Sequence, residues 1–218
     1  MLTLEAAIAA NRFGLGARPG DARSIGADPR GWLQAQLDAA PRGKAPAGQP
    51  ASARVLAKLS ELRATRQVAA QVRANLRQRP GEPSAMAPAP GIDEDAIREQ
   101  GTFMREHYLT QTAQRHRLAI ATAAPFLERL VHFWSNHFAV SADKQPLAAI
   151  AGWYEQEAIR PHVTGNFYDL LRAAERHPAM ILYLDNQASM GGRSTAATFV
   201  RPNRGRELGL DENLPREI

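Results

Sequence analysis

The stretch Pro125-Phe-Leu-Glu-Arg-Leu-Val-His-Phe-Trp-Ser-Asn-His-Phe138 decides the fold. Pro125 suits the first position of a helix, because its missing N–H would be unsatisfied there anyway. Wound as a helix, Phe126, Leu127, Leu130, Val131, Phe133, Trp134 and Phe138 cover most of the circumference. A helix that is apolar almost all round is expected at the centre of a core. One polar stripe interrupts it: Glu128, His132 and Asn136 recur every fourth residue and share a face. A neutral imidazole beside a carboxylate suits a general base or a metal ligand. His137 lies about 140° from His132 around the helix, so both could hold one metal only if the helix ends near Asn136. His-x4-His is also not the His-x3-His spacing of helical zinc sites. The same stripe would equally serve to hydrogen-bond neighbouring loops, since buried polar groups need partners.

Working outward, apolar residues recur at three- and four-residue spacing, and alternating strand-like runs are nearly absent. The fold class is therefore all-α and multi-helical, a long helical hairpin plus a compact helical core, with no significant sheet. Residues 1–50 hold short helices and loops. Leu4–Ala10 reads as a short helix, 11–20 as a turn-rich loop, and Asp28-Pro29 as the cap of a helix that buries Trp32, Leu33 and Leu37. Residues 51–123 form a basic helical hairpin around a Pro-rich linker at 80–91. In its first helix Val55, Leu59 and Leu62 share one face, while Val68, Val72 and Leu76 share another, so a bend or a change of partner is expected near Arg63. Residues 124–218 form the helical core. Pro146 opens a helix to about Arg160, further helices cover about 166–175 and 178–184, and a long polar loop covers 187–209. Asp211-Glu-Asn-Leu-Pro-Arg-Glu-Ile218 reads as a cap and first helical turn. The chain is thus expected to be a fragment, truncated within that element.

The chain has 218 residues, no Cys and a net charge of +5. Disulfide frameworks, thiolate metal sites and cysteine nucleophiles are excluded. There is no run apolar enough to span a membrane. The N-terminus lacks a signal-peptide pattern, which points to a cytoplasmic protein. Of the 27 basic residues only Lys44, Lys58 and Lys144 are Lys. Arg63, Arg66, Arg73 and Arg77 fall on one helical face of the 51–80 segment. No aromatic residue interleaves them to stack on bases, so specific nucleic-acid binding is not expected, and the stripe reads as a solvated face or one paired with acids of the next helix such as Glu94, Asp95, Glu99 and Glu106; the partner is unknown, a protein being one candidate. Gly14, Gly16 and Gly20 meet neither nucleotide-binding fingerprint and read as a turn.

Other polar groups cluster at helix ends: Asp143-Lys144, Arg160-Pro-His162, His177-Pro178 and Asp185-Asn186. Caps and turns are their ordinary use. No serine lies in a nucleophile elbow. Two function classes remain. One is a helical binding or scaffold protein. The other is a metal-dependent or hydrolase-like enzyme in which His132, Asn136, His137 and Glu128 act, with Glu128 orienting His132. There His132, His137 and Asp185 would hold a metal, aided by Glu212 or Glu217, while Lys144, Arg160 and Asn186 would bind an anionic substrate. No cofactor is specified by any motif.

Several blocks act together as a signature: Asn11-Arg-Phe-Gly-Leu-Gly-Ala-Arg-Pro-Gly20, Gly31-Trp-Leu33, His132–Phe138, Ser141-Ala-Asp-Lys144, Arg160-Pro-His162, His177-Pro-Ala-Met180, Tyr183-Leu-Asp-Asn186 and Glu212–Ile218. In combination they resemble the N-terminal half of a bacterial family known as domain of unknown function 1800. In similar proteins the last block continues into a helix with a further Glu and His, and Pro215 stands where Ala is more usual. The resemblance implies an all-α fold and a longer protein, and brings no established activity. Such proteins often accompany a second uncharacterised family bearing export signals, which implies a periplasmic location as the alternative.

Overall fold

Local chemistry sets most helix starts. Asp28 accepts a hydrogen bond from the Gly31 N–H and precedes Pro29, opening α3 (Pro29–Asp38). Asn166 caps α8 (Phe167–Arg176) through the Tyr168 N–H. His177 Nδ1 accepts from the Ala179 N–H and opens α9 (Pro178–Tyr183). Each satisfies a backbone donor that the first helical turn leaves open. The computed structural model describes residues 3–40, 51–77, 91–189 and 191. Across these run α1 (Leu4–Ile8), α2 (Asp21–Ile25), α3, α4 (Ala51–Arg77), α5 (Gly91–Ala121), α6 (Pro125–His137), α7 (Ala151–Tyr154), α8 and α9. No strand occurs among the described residues, and the chain is all-α. The Pro-rich linker before α5, nearly all of the 187–209 loop and the 211–218 turn lie outside the described residues.

The centre of the core differs from the expectation. It is not α6 but the segment 147–162, on which α4, α5, α6, α8 and α9 all pack. Leu147, Ala149, Ile150 and Ile159 are fully buried there. The expected regular helix from Pro146 to Arg160 is broken into a tight turn (Leu147–Ala149), α7, a widened turn (Glu155–Ile159) and a second tight turn (Arg160–His162). In the widened turn the Arg160 N–H donates to Glu155 O, five residues back. Such a turn inserts one residue into the helical phase and re-aims the side chains around it.

Helix α6 is one-sided. Val131 is fully buried, but Phe133 is 59 % exposed, and a polar residue, Glu128, is among the most buried on the helix. Apolar residues on every side did not mean burial on every side among the described residues. Helix α4 runs unbroken past Arg63. Val55, Leu59 and Leu62 are buried, whereas Val68 and Val72 are exposed and form no second packed face. Val55, Leu59 and Met104 share one apolar cluster with Val131, Ile150 and Leu170, so the long helices close onto the core. On α3, Trp32, Leu33 and Leu37 are half-buried and Gln36 is the buried residue.

Long-range side chains finish the corner between α5 and α6. Arg18 donates to Ile120 O and Thr122 O at 3.1 and 2.8 Å. Gln36 Oε1 accepts from the Phe126 N–H at 2.8 Å, supplying the cap that Ala124 cannot. Arg129 donates to Gly14 O at 2.9 Å.

Candidate functional site

A groove of about 450 Å³ opens between α5, α6 and α7. Gln111 sets its base: Nε2 donates to Ala149 O at 2.8 Å, and Oε1 accepts from the Trp153 N–H at 3.0 Å. Gly152 is needed beneath it, since a Cβ there would lie 2.5 Å from both Gln111 Cβ and Oε1. Arg115, His116, Ser135, Asn136, Val140 and Tyr154 line the walls.

A chain of charges begins at the groove with Arg115 and Glu155 and continues beyond its lining to Arg160 and Glu128. Arg115 Nε donates to Glu155 Oε2 at 2.6 Å, and Ser135 Oγ donates to the same oxygen at 3.2 Å. Glu155 Oε1 accepts from Arg160 Nη2 at 3.3 Å. Arg160 then grips Glu128 with both terminal nitrogens, at 2.7 and 2.8 Å. Burial alone would raise the Glu128 carboxyl, but the hydrogen bonds and charge of Arg160 outweigh it and hold it below the ordinary carboxylate range. Arg160 is likewise held above its ordinary value despite burial. The widened turn makes this possible: it carries Glu155 at its start and is followed by Arg160, so both reach the Glu128 side of α6.

Of the residues expected to act, Glu128, His132 and Asn136 do share one face of α6. His132 Nε2 lies 3.5 Å from Glu128 Oε1, too far for a hydrogen bond. Its pKa is lowered, first by burial and then by the charge of Arg115, so the ring is neutral near neutral pH. Asn136 is exposed at the groove. His137 is exposed and packs against Phe133, Trp134 and Phe138. Lys144 Nζ sits 2.6 Å from Asp185 Oδ2 and 2.8 Å from Tyr183 O. Asn186 begins a short turn beyond them. The expected metal set of His132, His137 and Asp185 is not assembled. No group of three or more His, Asp or Glu side chains stands together at metal-binding geometry among the described residues. Arg160, expected to hold a substrate anion, has its fork engaged by Glu128 and Glu155. No sequence signal marks Arg115, Gln111 or Glu155, because polar side chains on helices carry no local sign that they meet across the fold.

A second buried constellation was also unread. Ser52 Oγ and N–H donate to Glu157, at 2.5 and 3.1 Å, and His177 Nε2 lies 3.0 Å from Glu157 Oε2. Because His177 Nδ1 accepts from a backbone N–H, its proton sits on Nε2 and points at Glu157. The carboxylate stands between serine and imidazole, so His177 has no lone pair to offer Ser52 and the trio is not a nucleophile relay. It ties the start of α4 to the 155–162 turn and to α9. Burial pushes Glu157 up, but the bonds from His177 and Ser52 prevail and its pKa is lowered.

The family model described as "Protein of unknown function (DUF1800)" matches residues 8–218. No curated protein and no solved structure matches the chain. No helix among the described residues is long and apolar enough to cross a membrane.

Proposed function

The chain belongs to the DUF1800 family of proteins of unknown function, and from that starting point we propose that it is a helical binding protein whose ligand seats in the groove between α5, α6 and α7. One observation carries the reading: the charged groups that line the groove, Arg115 and Glu155, and those bonded to them in turn, Arg160 and Glu128, are closed into mutual pairs. A paired, buried carboxylate is a poor proton acceptor, whereas a rigid paired network holds recognition groups in place. The groove volume is that of a small-ligand site. The enzyme alternative, built on Glu128, His132, Asn136 and His137, has less to support it, because Arg160 occupies both Glu128 oxygens and His137 points into an aromatic cluster.

The test is a ligand-observed NMR screen of small polar and aromatic fragments against the chain and against Asn136→Trp, which fills the groove from an exposed position. Fragments that bind the wild type and are lost in the variant support the reading. Binding that is indifferent to Asn136→Trp, or no binding by any fragment, overturns it.

A further inference from the structure

The chemistry of the groove wall narrows the ligand. Arg115 is 43 % exposed at its side chain, while its partner Glu155 is 6 % exposed. Both residues line the groove, and of the pair it is the cation that is open to solvent. Arg115 gives Nε to Glu155, and among the described residues its two terminal nitrogens donate to no other group. Both ends of Gln111 are used within the fold, and the Ser135 hydroxyl donates to Glu155. What the wall still offers is mostly donors: the Arg115 terminal nitrogens, the Asn136 amide and the Tyr108 and Thr112 hydroxyls. His116 also lines the groove, its Nδ1 donating to Thr112 O at 3.1 Å. Val140, Ala151 and Tyr154 add apolar surface to the same groove.

Resting on the binding reading above, we propose that the groove takes a compact organic carboxylate, its two oxygens on the terminal nitrogens of Arg115 and its apolar body against Val140, Ala151 and Tyr154. A guanidinium edge with two parallel donors matches a carboxylate in two-point fashion. Glu155 already balances the Arg115 charge, and no other Arg or Lys lines the groove, so a monoanion suits it better than a phosphate dianion. Gly152 lets Gln111 pack directly against α7, because a Cβ there would meet Gln111 at 2.5 Å.

The experiment titrates the 218-residue chain with phenylacetate, phenylpropionate and phenylbutyrate, each beside its neutral carboxamide, and with phenyl phosphate, followed by amide chemical shifts. At least one carboxylate is expected to bind about tenfold more tightly than its amide, with shifts in α5 and α7. Arg115→Gln is expected to bring the carboxylate down to the amide level; Glu155 keeps Arg160 in this variant. Arg115→Lys retains the charge without the two-point edge and is expected to lose most of the preference, which covers the case of Arg115→Gln failing to fold. Equal binding of acid and amide, or a preference that survives both variants, overturns the carboxylate inference while leaving the binding reading intact. Tighter binding of phenyl phosphate than of every carboxylate overturns it in favour of a phosphate ligand. No binding by any probe overturns both.

Discussion

Arg160 holds Glu128 through two parallel hydrogen bonds of 2.7 and 2.8 Å, although 32 residues separate them in the chain. Glu128 is 4 % exposed at its side chain, so the pair lies where water contributes little. Breaking a buried pair costs far more than the pair itself is worth, because the survivor stays charged and unpaired. Arg160→Ala should therefore destabilise by about 3–5 kcal/mol. The double variant Glu128→Leu/Arg160→Met should recover most of that loss. Urea unfolding of wild type, single and double variants measures the difference; a single variant as stable as wild type would refute it.

The Ser52–Glu157–His177 trio gives a second expectation. Ser52→Ala removes the 2.5 Å bond to Glu157 and should cost about 1–3 kcal/mol. His177→Ala removes both the Glu157 contact and the α9 cap, so it should cost more and should speed amide exchange at Ala179. Hydrogen exchange distinguishes the two losses.

Glu128 and Glu157 both have carboxyls held below their ordinary value of 4.5. A lowered folded-state pKa means the stabilisation is complete above the unfolded value and is lost as pH falls through the folded value. The contribution of these two carboxyls should be constant above a pH of about 5 and should fall below about 4. Glu157→Gln should flatten that acid limb in denaturation followed by circular dichroism.

Glu175 behaves in the opposite sense, since burial raises its carboxyl and its Oε2 has no hydrogen-bond partner. Its protonated form suits the folded state, so its contribution is favourable below the unfolded value of 4.5 and is lost as pH rises through the folded value. Glu175→Gln should stabilise at neutral pH, by less than about 1 kcal/mol after solvent screening, and should change nothing near a pH of about 3. A gain at low pH instead would refute this.

Two glycines make a paired test. At Gly152 an added Cβ would meet Gln111 at 2.5 Å, whereas at Gly101, inside α5, nothing lies within 4 Å. Gly152→Ala should cost about 1–3 kcal/mol. Gly101→Ala should gain up to about 1 kcal/mol from helix propensity. Thermal unfolding of both variants reads the signs directly.

These residues also mark what a sequence reader can and cannot see. The starts of α3, α8 and α9 were legible, because each cap bonds two or three residues away and leaves a local signature at Asp28, Asn166 and His177. So was the polar stripe of Glu128, His132 and Asn136, which needs only helical spacing. What that stripe binds was not legible, since Arg160 reaches Glu128 through a widened turn that shifts the phase assumed for a regular helix. The Ser52–Glu157 bond spans 105 residues and has no local trace at either end. The sidedness of α6 was hidden for another reason: counting apolar residues around a helix cannot say which side a neighbour covers.

The corner between α5 and α6 has a consequence for the order of folding. Its backbone groups at Ile120, Thr122 and Phe126 are satisfied by Arg18 and Gln36, partners 102, 104 and 90 residues away. Neither helix can complete this junction from its own sequence. The corner therefore matures only after the N-terminal helices have docked and a large loop has closed, a step whose entropy must be met before these bonds repay it. As the chain emerges during synthesis, Arg18 and Gln36 wait, with their hydrogen-bonding groups in water, for a corner that has yet to be made.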